Sequence, residues 1–134
     1  MMEYYPVKIL MAFACTFDPG GEEFFDWLMR NGYPELGALS HAIQGDAGAK
    51  DWLLKNGFPQ FAALDSAIDE EKAAQEWLQK NHFELLLLLS RAVNNYEDAL
   101  DWFQKKELGI FVIIADKIRK YLDDKYLDYH KIHF

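Results

Sequence analysis

The chain has 134 residues, enough for one domain of ordinary size. Hydrophobic residues make up 51% and aromatics 16%, which excludes an intrinsically disordered chain and supplies material for a core. Lys and Arg number 14 against 22 Asp and Glu, a formal charge of −8 that repels phosphate backbones, and no basic patch offsets it, so nucleic acid is not an expected partner.

The first predicted element is apolar. Lys8–Phe17 could pass for the core of a signal peptide, even a lipoprotein one ending at Cys15, but an acid, Glu3, stands where the positive leading segment belongs. Tyr5-Pro6 looks instead like Tyr33-Pro34 further on, so Pro6–Thr16 reads as a lone helix, half a repeat that caps the N-terminus over 1–17. In that register Lys8 falls in an apolar column.

From residue 18 the chain repeats. Trp27, Trp52, Trp77 and Trp102 are the four tryptophans, each 25 positions after the last, and each follows an acid and precedes a base by three. A fixed period of this size marks a repeat architecture. The units are 18–45, 46–70, 71–95 and 96–119, and each holds two helical patterns. In the second unit, helix A carries Ala49, Trp52 and Leu53 at i, i+3, i+4 spacing. Asn56-Gly57 stops it, because glycine takes the left-handed conformation that closes a helix. Pro59 then opens helix B, Pro59–Ile68, as Pro34 does one period earlier. The acids Asp69-Glu70-Glu71 precede the next helix A, where they favour its dipole. His82 stands where glycine ends the earlier helices and is expected in the same left-handed conformation.

Helix B keeps three apolar columns: Leu36/Phe61/Leu86/Phe111, Leu39/Leu64/Leu89/Ile114 and Ile43/Ile68/Val93/Ile118. Ala42, Ala67 and Ala92 form a small-residue column that Lys117 breaks. The last segment, 120–134, lacks a tryptophan and reads as a helical C-terminal cap partly continuous with the last helix B. The template predicts about nine to ten short helices in all.

This pattern resembles the αα-solenoid class that includes HEAT, armadillo and tetratricopeptide arrays, although the unit is shorter than theirs and their consensus residues are missing. The resemblance implies an all-α superhelix of short paired helices, right-handed, about four and a half repeats long, with atypical ends. It implies a scaffold that binds other proteins.

Each tryptophan lies on the apolar face of helix A and is expected as a structural bolt against helix B, so that Trp52→Ala should cost about 3–5 kcal/mol. The rival reading, an exposed aromatic ladder for bases or glycans, is opposed for bases by the acidic neighbours. Asp26–Arg30, Asp51–Lys55, Glu76–Lys80 and Asp101–Lys105 have the favourable i, i+4 orientation of a solvated helix face. Binding is expected instead on the variable flank of helix B, at His41, Gln44, Ser66, Asp69, Arg91 and Asn94. It continues at Leu85, Leu87, Ile110 and Val112, where helix B becomes apolar nearly all round. Either the C-terminal cap covers that apolar part, or it is a groove or dimer surface.

Catalytic motifs are missing: no phosphate loop, nucleophile elbow or His-Glu-x-x-His helix occurs. His130-x-x-His133 with Asp128 is too small a set for a metal, which needs three or four convergent ligands. One cysteine excludes a disulfide framework and a Cys-rich zinc site and fits a reducing, cytoplasmic compartment. The longest apolar run, Leu85–Leu89, falls far short of the ~20 residues that cross a bilayer. The expected function is therefore a non-catalytic protein–protein interaction module without cofactor or metal, monomeric or homodimeric. A structural homo-oligomer joined through the apolar C-terminal surface is the alternative, and an enzyme or small-molecule binder has no motif in its favour.

Overall fold

The structure, a computed structural model, describes residues 2–132, with side chains through Asp128. Among the described residues the chain is all-helical: a 3-10 turn at Met2–Tyr4 and nine α-helices. Four are helices of type A, namely α2 (Glu22–Arg30), α4 (Ala47–Lys55), α6 (Lys72–Lys80) and α8 (Glu97–Lys105). Five are of type B, namely α1 (Val7–Cys15), α3 (Pro34–Ile43), α5 (Pro59–Ile68), α7 (Glu84–Val93) and α9 (Gly109–Ile132). The cap segment does not form a separate helix; α9 runs on through it. The side chains of His130 and His133 lie outside the described residues.

The turns follow the stop signals. Gly32 and Gly57 have φ of +88° and +87°, and His82 and Glu107 take the same left-handed conformation at +65° and +57°. The following amide then reaches back to close each helix A: Tyr33 N donates to Leu28 O, Phe58 N to Leu53 O, Phe83 N to Leu78 O and Leu108 N to Phe103 O, at 2.8–2.9 Å. Asn31, Asn56 and Asn81 donate their side-chain amides to the carbonyls of Trp27, Trp52 and Trp77 at 2.7–2.9 Å, which satisfies another terminal acceptor.

The three apolar columns of helix B are buried in every unit, and so are Ala42, Ala67 and Ala92. The N-terminal half-repeat sits in a different register from the one Tyr5-Pro6 suggests. Leu10, Phe13, Ala14 and Phe17 are buried and take the places of Leu36, Leu39, Ser40 and Ile43, each 26 positions on. This shift removes Lys8 from the apolar column and sets it level with Pro34. Tyr5 is not a counterpart of Tyr33 but its neighbour, with ring centroids 6.0 Å apart, and its hydroxyl donates to Glu35 at 2.9 Å.

Consecutive helices pack against each other along the whole chain. Helices α1, α3, α5, α7 and α9 also touch in that order, and α9 returns to α1, so the B helices close into a ring of five. Its interior is one continuous hydrophobic cluster rather than an open groove. Lys117, which breaks the alanine column, makes the closure: its Nζ lies 2.9 Å from both oxygens of Asp18. Beside it the Phe17 and Tyr121 rings meet edge to face at 6.0 Å. The extended part of α9 continues across this end, where Lys125 Nζ donates to Gln44 O at 2.9 Å. At the opposite end Met2 is fully buried beside Leu85 and Leu86.

A candidate protein-binding surface on the outer helices

The tryptophans are not fully buried as their column suggested: Trp27 and Trp102 are half-buried and pack against the core, and Trp52 and Trp77 are more exposed. The fully buried column is the next residue, Leu28, Leu53, Leu78 and Phe103, each with 0% exposure, while Trp52 and Trp77 keep 37% and 36%. Helix A presents only one narrow face to the ring, and a leucine-sized side chain fills it. The indole lies at the edge and stacks on the aromatic six residues later, nearly parallel: Trp27 on Tyr33, Trp52 on Phe58 and Trp77 on Phe83, with centroids 5.8–6.5 Å apart. In the fourth unit Leu108 replaces that aromatic, and Trp102 meets Phe103 and Lys106 instead. The tryptophan thus pins the turn from outside. Of the four i, i+4 charge pairs, only Asp51–Lys55 closes among the described residues, at 2.8 Å.

The variable flank of helix B is largely occupied by the fold itself. Asn94 donates to Ile68 O at 2.9 Å and accepts from Arg119 Nη1 at 3.0 Å, tying three successive B helices. Gln44 donates to Ser40 Oγ at 2.9 Å. Arg91 holds Asp98 at 2.9 Å and lies 4.4 Å over the Tyr96 ring. His41 stacks on Phe25, 3.8 Å between centroids. Ser66 accepts from Lys50, whose ammonium also lies 3.1 Å from Asp65. Asp65 is nearly buried, and that burial raises its carboxyl pKa, with the Lys50 ammonium pulling it back down. Asp69 alone of these residues is exposed, at the end of α5. Leu85, Leu87, Ile110 and Val112 are half-buried and packed against the core, because ring closure gives α7 and α9 neighbours on several sides. The ten residues share no single cavity: Arg91 and Asn94 line one of about 380 Å³, Gln44 another of about 460 Å³ and His41 a third of about 250 Å³.

Exposed apolar side chains gather elsewhere, on the outside of the first two A helices. Phe24, Met29, Trp52 and Leu54 are all more than a third exposed. Phe24 lines one groove on this side, and Met29 and Trp52 line a second. One, of about 630 Å³, lies between α1 and α2, with Met11, Ala12 and Cys15 as floor and Phe24 and Trp27 as wall. Lys8 and Arg30 stand at one end of it, Glu23 at the other and Asp26 between them. The second, of about 250 Å³, lies over α3 between α2 and α4, with Phe25 and Met29 facing Ala49 and Trp52. Of the ten residues expected from the sequence, His41 lines the second groove, while the exposed apolar side chains lie on helix A, outside the expected flank of helix B. A signal was present: Met29 and Leu54 occupy a column whose later members are Gln79 and Gln104. Apolar residues in an otherwise polar surface column are the kind of exposure that marks an interaction site.

The thiol of Cys15 at the groove floor has its pKa raised, by burial first and then by the Asp18 carboxylate, so it is a protonated, weakly nucleophilic group near neutral pH. No helix among the described residues is long and apolar enough to cross a membrane, and no group of His, Cys, Asp or Glu there converges as a metal site. Comparison with known proteins finds no matching family model, no matching curated protein and no matching solved structure.

Proposed function

We propose that the chain is a non-catalytic protein-interaction module, a short αα-solenoid closed on itself, and that it binds through the outer grooves of α1, α2 and α4. The observation that carries this reading is the exposure of Phe24, Met29 and Trp52 along the two grooves, together with the exposed column of Met29 and Leu54, whose later members Gln79 and Gln104 are polar. A large apolar groove with charges at its rim suits a partner with apolar anchors. The half-buried state of Leu85, Leu87, Ile110 and Val112 leaves a homo-oligomer through the C-terminal units with less surface to use.

The test compares partner capture by the unaltered chain and by Met29→Glu/Leu54→Glu. Both positions are exposed, so circular dichroism melts should agree within a few degrees, while the set of captured proteins should shrink in the variant. A variant that captures the same proteins as the unaltered chain would remove the groove between α2 and α4, which Met29 lines, from consideration. Size-exclusion chromatography with light scattering tests the homo-oligomer separately: a mass that stays monomeric over a wide concentration range excludes it.

A further inference from the structure

The two grooves are successive copies of one seat, and only one copy is filled. In the filled copy α2 lies along α3, Phe25 is stacked flat on His41 at 3.8 Å, and Met29 sits over Gly37. A Cβ on Gly37 would come within 2.8 Å of Met29 Sδ, so the glycine is what lets the helix approach. Moving back 26 positions on helix B carries Pro34, Gly37, Ala38 and His41 to Lys8, Met11, Ala12 and Cys15, and all four of these line the α1–α2 groove. Moving back 25 positions on helix A carries Ala49 and Trp52 to Phe24 and Trp27, which form its wall. Floor and far wall are thus repeated. Among the described residues no row stands against the α1–α2 groove as Phe25 and Met29 stand against the second, and the groove is correspondingly larger, about 630 against 250 Å³.

Resting on the interaction reading above, we propose that the α1–α2 groove is the vacant seat of a helix A, and that its occupant is an amphipathic helix of a partner polypeptide lying antiparallel to α1. The occupant places an aromatic residue over Cys15 and an unbranched apolar residue four positions later, beside Lys8, as Phe25 and Met29 do one unit on. Met11 in place of Gly37 holds the guest helix farther out than α2 lies on α3. The rim sets the guest's charge. Helix α2 returns along α1, so Arg30 and Lys8 share one end of the seat and Glu23 stands at the other, with Asp26 between them, one turn from Arg30. A guest running parallel to α2 meets Glu23 with its first turn and Lys8 and Arg30 with its last. The complementary guest carries basic residues at its start and acidic residues at its end.

The probe is a stapled helical peptide of residues 22–31 of this chain carrying Glu22→Lys, Glu23→Lys and Arg30→Glu, titrated into the full chain by fluorescence anisotropy. Cys15, the only cysteine, gives a second readout through its rate of alkylation by iodoacetamide. Saturable binding at about micromolar concentration is expected, with alkylation slowed about fivefold or more at saturation. Ala12→Arg should weaken binding about tenfold or more. The peptide with its original charges should bind a few-fold more weakly, the difference shrinking with salt, and Lys8→Glu should reverse the preference without unfolding the chain, since Lys8 is exposed. Binding that leaves Cys15 unprotected, binding unchanged by both Ala12→Arg and Lys8→Glu, or no saturation would overturn the proposal. So would a dimer by light scattering with Cys15 already protected, which would make a second copy the occupant. Should partner capture still depend on Met29 and Leu54 while the peptide fails, the vacant seat falls and the interaction module stands.

Discussion

Trp52 and Leu53 are neighbours in sequence with opposite environments, and the difference sets the cost of losing each. Leu53 is fully buried under the ring, and Leu53→Ala is expected to cost about 2–5 kcal/mol. Trp52 keeps a stacking partner and partial burial, so Trp52→Ala should cost only about 1–2 kcal/mol, less than its volume suggests. Urea melts of the two variants check this, and equal costs would mean that the indole is core after all. At Asp65 the relevant force is desolvation. Its folded pKa lies above the ordinary 3.8, so its contribution is fully present below that value and is lost as pH rises through the folded pKa. Removing the ammonium of Lys50 leaves burial unopposed and raises the folded pKa further. Lys50→Ala should therefore cost about 1–3 kcal/mol at neutral pH, less than a fully buried pair because Lys50 is partly exposed. The deficit should shrink as pH falls through the folded pKa, where the carboxyl protonates; a deficit independent of pH would show that the ion pair is not what the variant removes.

The elements owe their limits to turn chemistry that can be tested one position at a time. His82 holds φ of +65° where the first two units have glycine. His82→Gly relieves the left-handed strain of an L-residue at the cost of some chain entropy, and a gain of about 0.5–1 kcal/mol is expected in a thermal melt. Between elements, Asn94 is the most connected polar side chain of the ring. Asn94→Ala leaves Ile68 O and Arg119 short of a partner and should cost about 1–2 kcal/mol by chemical denaturation. That outcome separates it from a surface binding residue, which would change affinity and leave stability alone.

For the whole molecule, closure changes how stability is shared. An open array loses its end units first, because each unit contacts only its neighbours. Here α1 packs on α9, so both termini of the repeat lie against other helices. Phe13→Ala, which opens a cavity in α1, is therefore expected to reduce hydrogen-exchange protection in α9 as well as in α1 and α3. Loss confined to α1 and α3 would mean that the contact with α9 is energetically slight.

Much of this was legible in the residues. The period, the helix limits at Pro34 and Pro59, the left-handed stops and the buried columns of helix B all follow from local chemistry, since each depends on residues within one turn or one unit. The depth of the tryptophans was not legible, because an indole and a leucine side by side on one helix face have the same periodicity, and only the width of the contact decides which goes inside. The register of α1 was hidden for a related reason: a Tyr-Pro pair marks a turn in one place and a ring contact in another. The closure of five B helices depends on the angle accumulated from unit to unit. Small rotations sum over the array, no single repeat encodes the total, and so the tertiary structure alone decided that the last helix meets the first.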